Sequence, residues 1–399
     1  MPKGLQAELY HKLLDAYERQ ATPGRKAYVA FRNFLKGSEV SYEDEDRLKN
    51  DLLEAQSIGL IQVNFMTGNQ RHLIKSVSLQ NPSAIYELLG RDTVENKKHK
   101  YTVALMHLVS QPSREVVSLI ENAADAWSLR KPYLKFESKD ITGFSEFIIC
   151  IQSLRDIEGQ VKDLRTFSAQ TLGDSKLIEK YAGRILSYLI TIDDLPSEMN
   201  ETSMLAFFGL EKYPHPVLVG GKLLRLGEEI NFFPFIGLPY EEIKNISLLP
   251  TVKYILSIEN YASFNRYVRE INLENTLVIY TGGFPSHSVQ YFINYVTSNF
   301  QYDAFYHWGD IDPKGLQIAE IIYQIVGYKF QLFLMDEYFA FKGKKVGPIE
   351  KISSLSSHNQ IQSLQHFLMS DSAHILEQEV CDPIYVATCP SSDYFGLSS

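Results

Sequence analysis

Cysteine, tryptophan and long apolar runs are scarce in this chain, and each scarcity excludes something. Three cysteines, Cys150, Cys381 and Cys389, are spread over 399 residues. They are too few and too odd in number for a disulfide framework, and no CxxC pair suggests a zinc site. Reduced, mostly buried thiols are the expected state. No segment approaches the roughly 18 consecutive apolar residues of a membrane span. The opening stretch, MPKGLQAELYHKLLDAYERQ, alternates charge with apolar residues and lacks the apolar centre of a signal peptide. A cytoplasmic protein with no membrane partner is therefore expected. Internal repeats and low-complexity linkers are absent as well.

What is present is normal for a globular protein: 45% hydrophobic and 22% charged residues, with 24 Tyr and 23 Phe against 2 Trp. A length of 399 residues exceeds one ordinary core, so two or three domains are expected. The net charge of −9 argues against a surface that binds nucleic acid everywhere. That charge is uneven. Residues 1–110 carry 15 Lys+Arg against 13 Asp+Glu, and the remainder carries 24 against 35. A weakly basic N-terminal third is compatible with DNA contact through local patches. The acidic body suits docking onto other subunits and gathering carboxylates around metal ions.

Residues 5–17 place Leu5, Tyr10, Leu13 and Leu14 at helical spacing, and residues 28–34 offer a second short helix. Ser41 is a helix start for the stripe Leu48, Leu52, Leu53 and Ala55, and Gly59 a stop. LIQVNF and HLIKSVSL then read as two strands joined by a turn-rich linker at residues 66–71. Three helices and a two-stranded wing describe a winged helix. Arg71, His72 and Lys75 on the wing are candidates for phosphate contact, or are solvated side chains of a protein-docking module. From Ala84 to about Met204 the pattern is mostly helical. Asp174 or Ser175, in the break GDSK, is a candidate cap for the helix from Leu177 to Leu189; Lys176 beside them is a candidate phosphate contact. Short apolar runs with Gly and Pro follow as strands and tight turns. The predicted division is 1–105, a winged-helix-like arm; 106–250, a central helical, winged-helix-like (CAP-like) region; and 251–399, the last domain with a C-terminal extension.

Residues 252–330 carry the chemistry. VKYILSIEN, TLVIYT and DAFYHWGDID read as strands, each followed by a helical segment, which implies a parallel sheet flanked by helices. The fold class is thus α/β and α+β, multidomain. Ligands of open parallel sheets gather beyond the carboxyl ends of the strands. Glu259, Gly282-Gly283 and Asp310-x-Asp312 fall at three such ends. Carboxylates crowded together repel, and a hard divalent cation, Mg2+ or alternatively Mn2+, removes that penalty. Glu259, Asp310 and Asp312 are therefore the predicted catalytic, metal-holding residues. A lone DxD is a weak signal. DxDxxG at a strand-to-helix junction, about fifty residues after a strand-terminal Glu, is a strong one. On the alternative reading Asp310 caps a turn and Glu259 is a surface acid, the glycines permit close packing, and His287 starts a helix. Lys314 is a further candidate for DNA contact.

SIEN, YTGGFPS and GDIDPKG together resemble the Toprim domain of the topoisomerase VI A-subunit lineage. More closely, the chain resembles the JetD family, the nuclease subunits of bacterial Wadjet plasmid-defence systems. FGLEKYPHPVLVGGKLLRL, PFIGLPYEEI and IENYASF resemble its approach to the Toprim domain, LGDSKLIE a central motif and HILEQE a motif of the tail. The resemblance covers roughly residues 160–380. It implies a homodimeric nuclease cutting closed circular double-stranded DNA, working with an SMC-type ATPase, a kleisin and a kleisin-associated subunit. It implies that Glu259, Asp310 and Asp312 hold metal ions, with Glu259 able to serve in proton transfer. Tyr181, Tyr188 and Tyr240 precede the Toprim-like segment, yet none lies in a paired-tyrosine motif like that of the topoisomerase lineage. Hydrolysis is thus expected ahead of tyrosine transesterification. A non-catalytic DNA-binding adaptor is the reading from another class.

Overall fold

The computed structural model describes residues 4–19, 27–36, 40–157, 159–230, 232–350 and 355–388; Cys389 lies outside them. The chain divides into two compact units, residues 1–152 and 153–399. The boundary falls within the segment read from sequence as a central region. The architecture is mixed α/β, with helices and several sheets. Among the described residues no helix is long and apolar enough to cross a membrane.

The first unit begins with α1 (Leu5–Glu18), β1 (Tyr28–Ala30), α2 (Phe31–Leu35) and α3 (Tyr42–Ser57). Ser41 caps α3 by accepting the Asp44 N–H at 3.1 Å, and Gly59 just beyond takes a left-handed φ of 75°. β2 (Ile61–Phe65) and β3 (Ile74–Leu79) follow, then α4 (Pro82–Leu89), α5 (Val94–Leu108), α6 (Arg114–Ser128) and α7 (Ile141–Arg155), which crosses the unit boundary. The sheet has three strands, in the order β1-β3-β2, where two were expected. Tyr28–Ala30 is the added strand, and it pairs antiparallel with β3, Tyr28 facing Ser78. Leu9, Leu13, Phe31, Leu52, Val77 and Ile85 form one core beneath it. A polar hub sits at the end of α1. The Glu18 side chain, fully shielded from solvent, meets Arg91 at 2.5 Å, Lys97 at 2.6 Å and Arg130 at 3.1 Å. It also accepts the Tyr86 hydroxyl at 2.8 Å.

The second unit opens with β4 (Lys162–Asp163), α8 (Leu164–Leu172), α9 (Leu177–Ile192), α10 (Glu201–Phe207) and β5 (Leu210–Glu211). Neither Asp174 nor Ser175 caps α9. The cap position is Lys176, and Asp174 Oδ1 accepts the Lys176 N–H at 2.8 Å, tightening the turn between the two helices. Next come β6 (Val217–Gly220), β7 (Leu223–Arg225), β8 (Glu228–Ile230), β9 (Ile236–Leu238) and β10 (Ile246–Leu248). β11 (Tyr254–Ile258), α11 (Tyr261–Glu270), β12 (Thr276–Tyr280), α12 (His287–Asn299), β13 (Ala304–Trp308), α13 (Pro313–Val326) and β14 (Phe330–Leu332) alternate as the sequence pattern predicts. The chain continues through α14 (Glu337–Ala340), β15 (Lys344–Lys345), α15 (Asn359–Leu368) and β16 (His374–Ile375).

The main sheet has six strands in the order β14-β13-β11-β12-β6-β9. The first four are mutually parallel; β6 then pairs antiparallel with β12, and β9 antiparallel with β6. Ile255, Leu256, Ile258, Leu277, Val278, Ile279 and Phe305 are buried, as strands covered on both faces must be. From β11 the chain crosses to β12 on one side, and from β13 to β14 on the other. With right-handed crossovers this reversal sends α11 to one face and α12 and α13 to the other; α12 packs on α13, and α13 on α15. The crevice between β11 and β13 is thus the topological switch point where ligands of such sheets bind. The β14 edge is covered by side chains. His358 Nε2 donates to the Phe330 carbonyl at 3.2 Å, and Gln360 Oε1 accepts the Leu332 N–H at 2.9 Å.

Candidate functional site

The parallel register of β11 and β13 sets Ile258 beside Trp308, which brings Glu259 and Asp310 together just past the strand ends. The Glu259 N–H donates to the Trp308 carbonyl at 3.0 Å, so the strand pairing runs up to the acid itself. Its side chain is only 5% exposed. Lys314 Nζ lies 3.1 Å from Glu259 Oε1, and the Asp310 N–H approaches Oε2 at 3.5 Å. Asp312 is the N-cap of α13. Its Oδ1 accepts the Gly315 N–H at 2.6 Å, and Pro313 follows at the first helical position, where no N–H is needed.

The glycines of GDIDPKG are required by close approach. A Cβ on Gly315 would stand 2.1 Å from the Asp310 carbonyl oxygen, and one on Gly309 would stand 2.8 Å from Glu259 Oε2. Gly282 and Gly283, at the end of β12, adopt φ of 71° and 90°, open to glycine at little cost. His287 is the first residue of α12, as the helix-start reading has it.

The C-terminal tail lies across these strand ends. Ile311 and Leu376 exchange backbone hydrogen bonds at 2.8 and 3.1 Å. Gln378, 1% exposed, then ties three segments together. Its N–H donates to Asp310 Oδ1 at 2.7 Å, its Nε2 to the Trp308 carbonyl at 3.1 Å, and its Oε1 accepts the Asn260 N–H at 2.9 Å. Asn260 also caps α11 and donates through Nδ2 to Glu379 Oε1 at 2.5 Å. Among the described residues, the one set of three metal-ligating side chains whose ligand atoms lie within 4.8 Å of one another is Asp310, Glu377 and Glu379. Glu377, Gln378, Glu379 and Asn260 lie within the HILEQE and SIEN motifs, and no spacing in the sequence marks them as part of the site.

Crowding marks the electrostatics. Burial pushes the Asp310 carboxyl up to about 7; the Gln378 N–H opposes this, while the charges of Glu259, Asp312 and Glu377 add to it. Burial also raises Glu259, against the pull of Lys314. Lys314 is lowered by its own burial, but the Glu259 charge and hydrogen bond outweigh that and leave it raised. Lys314 thus lies on Glu259. Lys176 is exposed at the α8–α9 turn, and Arg71 and Lys75 are exposed on the hairpin of the first unit.

An α/β unit with carboxylates gathered at the switch point of a parallel sheet defines the class. Residues 209–382 match the family described as Wadjet protein JetD, C-terminal. Residues 47–189 match a family described as an uncharacterized protein conserved in bacteria, N-terminal. The Wadjet protein JetD of Bacillus cereus (strain Q1) is 30% identical over 207 residues, 49% of this chain and 49% of that protein. The match thus spans about half the length of that curated relative. Residues 209–382 thus group with the C-terminal region of the JetD family.

Proposed function

We propose that this chain is a magnesium-dependent DNA endonuclease of the Toprim type, the nuclease subunit of a Wadjet defence complex, and that it cleaves closed circular DNA. The observation that carries this reading is the meeting of Glu259 and Asp310 at the switch point of the parallel sheet, joined there by Glu377 and Glu379. The donor set is all oxygen, as hard divalent cations prefer, and an ammonium already stands against the buried Glu259 carboxylate. Asp310, Glu377 and Glu379, with Glu259 and Asp312 adjoining, are the residues that would hold magnesium, or manganese in its place. Bound there, the ion supplies Lewis acidity toward a phosphodiester and a more acidic water. Gln378 holds the Asp310 carboxylate in place, the α13 cap fixes Asp312, and Glu259 is placed to take or give a proton. In this reading the first unit carries a winged-helix arm, the protein is a cytoplasmic homodimer, and an SMC ATPase, a kleisin and a kleisin-associated subunit deliver the DNA.

Hydrolysis is favoured over tyrosine attack. Tyr181 and Tyr188 are 3% and 6% exposed, and the Tyr240 hydroxyl donates to the Gly159 carbonyl. The test incubates the full chain with supercoiled plasmid and Mg2+ or Mn2+, with and without partner subunits. Linear product free of protein is expected, and Asp310→Asn or Glu259→Gln should lower the rate about a hundredfold or more. A covalent protein–DNA adduct after denaturation would instead establish tyrosine chemistry. Plasmid restriction that persists in Asp310→Ala/Asp312→Ala at normal protein levels would sink the catalytic reading.

A further inference from the structure

We propose that Lys314 is the resident counter-ion of Glu259, and that a divalent cation held by Asp310, Glu377 and Glu379 must displace it to take Glu259 as a further ligand. The inference rests on the metal-dependent reading above and concerns how the site is kept before it is loaded. Glu259 is 5% exposed and Lys314 is 45% exposed. A carboxylate that deeply buried, with Asp310 and Asp312 close by, pays both desolvation and repulsion unless a cation faces it. The Lys314 ammonium, 3.1 Å from Oε1, is that cation.

Three features make the arrangement exchangeable. Lys314 springs from the first turn of α13, two residues after Asp312, so its stem is fixed while its head has the reach of a flexible four-carbon chain. An ammonium is a point charge, and it lets go of a carboxylate more readily than the two-pronged hold of arginine does. Space lies beside it. Among the described residues, and apart from Gly283 and its two chain neighbours, the one atom within 4 Å of a Cβ built on Gly283 is Lys314 Nζ, at 3.8 Å. The head can therefore move toward the Gly282-Gly283 turn without repacking the core. Two cations cannot share Glu259 Oε1 without repelling each other. An incoming ion thus competes with Lys314, and the displaced ammonium is left at the rim, where an anionic phosphate would arrive.

The experiment measures Mn2+ affinity of the full chain by calorimetry, without DNA, for the native protein and for Lys314→Met, Lys314→Gln and Lys314→Arg. Removing the competing charge should tighten Mn2+ binding about three- to tenfold in the Met and Gln variants. The Arg variant, which keeps the charge, should bind no more tightly than the native chain. Circular dichroism melting checks each variant for folding, and either neutral variant alone suffices for the comparison. Native Mn2+ binding with unchanged or weaker affinity in the neutral variants would overturn the counter-ion role and leave the metal reading standing. No Mn2+ binding by any of the four proteins would overturn both.

Discussion

At the scale of the residue, a fully enclosed titratable group is His307, on β13 next to the edge strand of the main sheet. It is 0% exposed, with Nδ1 2.9 Å from Ser257 Oγ. Burial pushes its imidazole down to about 3. A free imidazole titrates near 6.5, so in acid the unfolded chain takes up a proton that the native chain refuses. The stability from this residue is whole above about pH 6.5 and falls by about 1.4 kcal/mol per pH unit toward 3. Asp310, raised to about 7, acts with the opposite sign: its contribution is present in acid and is lost as pH rises toward neutrality. The two must be separated by difference. Urea unfolding of the native chain and of His307→Gln, between about pH 4 and pH 7, should show the variant weaker near neutrality and the gap shrinking in acid. A gap independent of pH would refute the assignment.

At the scale of the element, two polar clamps join segments far apart in sequence. Glu18 fastens the end of α1 to Arg91, Lys97 and Arg130. Glu18→Ala would take the carboxylate from Lys97 and leave Arg91 and Arg130 facing Asp15 alone, at a cost of about 1.5–3 kcal/mol in urea unfolding. Glu18→Gln, which keeps an acceptor for the Tyr86 hydroxyl, should cost less. Gln378 fastens the tail to Asp310, Trp308 and Asn260. In Gln378→Leu, hydrogen exchange at the Ile311 and Leu376 amides should quicken about tenfold or more, and Mn2+ affinity should fall with it. Unchanged exchange would show that the tail is held by something else.

These same elements show what a sequence discloses and what it withholds. The β11-to-α13 alternation was legible because buried parallel strands and amphipathic helices each carry a local period, and the acids fell at predictable strand ends. Tyr28–Ala30 was not, because YVAFRNF has no strand signature of its own and becomes a strand only through β3, whose pairing residues lie about 46 to 50 positions later. Glu377 and Glu379 were illegible for a related reason. They are exposed acids in a polar tail, and only the Ile311–Leu376 pairing carries them to Asp310, 67 and 69 residues earlier in the chain. Asp174 had the right residue type for a cap, but its side chain closes the turn before the helix instead of starting it.

At the scale of the whole molecule, the proposed function requires a chain with a net charge of −9 to meet DNA through restricted basic surfaces. Arg71 and Lys75 are exposed on the hairpin of the first unit. Replacing both with Glu should weaken duplex binding without regard to sequence. It should also reduce the slope of log affinity against log salt by about 2, near the 0.9 expected for each lost phosphate contact. Fluorescence anisotropy across a salt series reads this directly, and an unaltered slope would move the contact elsewhere.

The sealed margin of β14 bears on self-association. A bare sheet edge invites a second chain to continue the ladder. Here the Phe330 carbonyl and the Leu332 N–H are already engaged by His358 and Gln360. A second copy arriving on that side finds no backbone groups at those two positions to continue the ladder. Any pairing of two such molecules there must be written in side chains, and so is open to change by point substitution without disturbing the sheet.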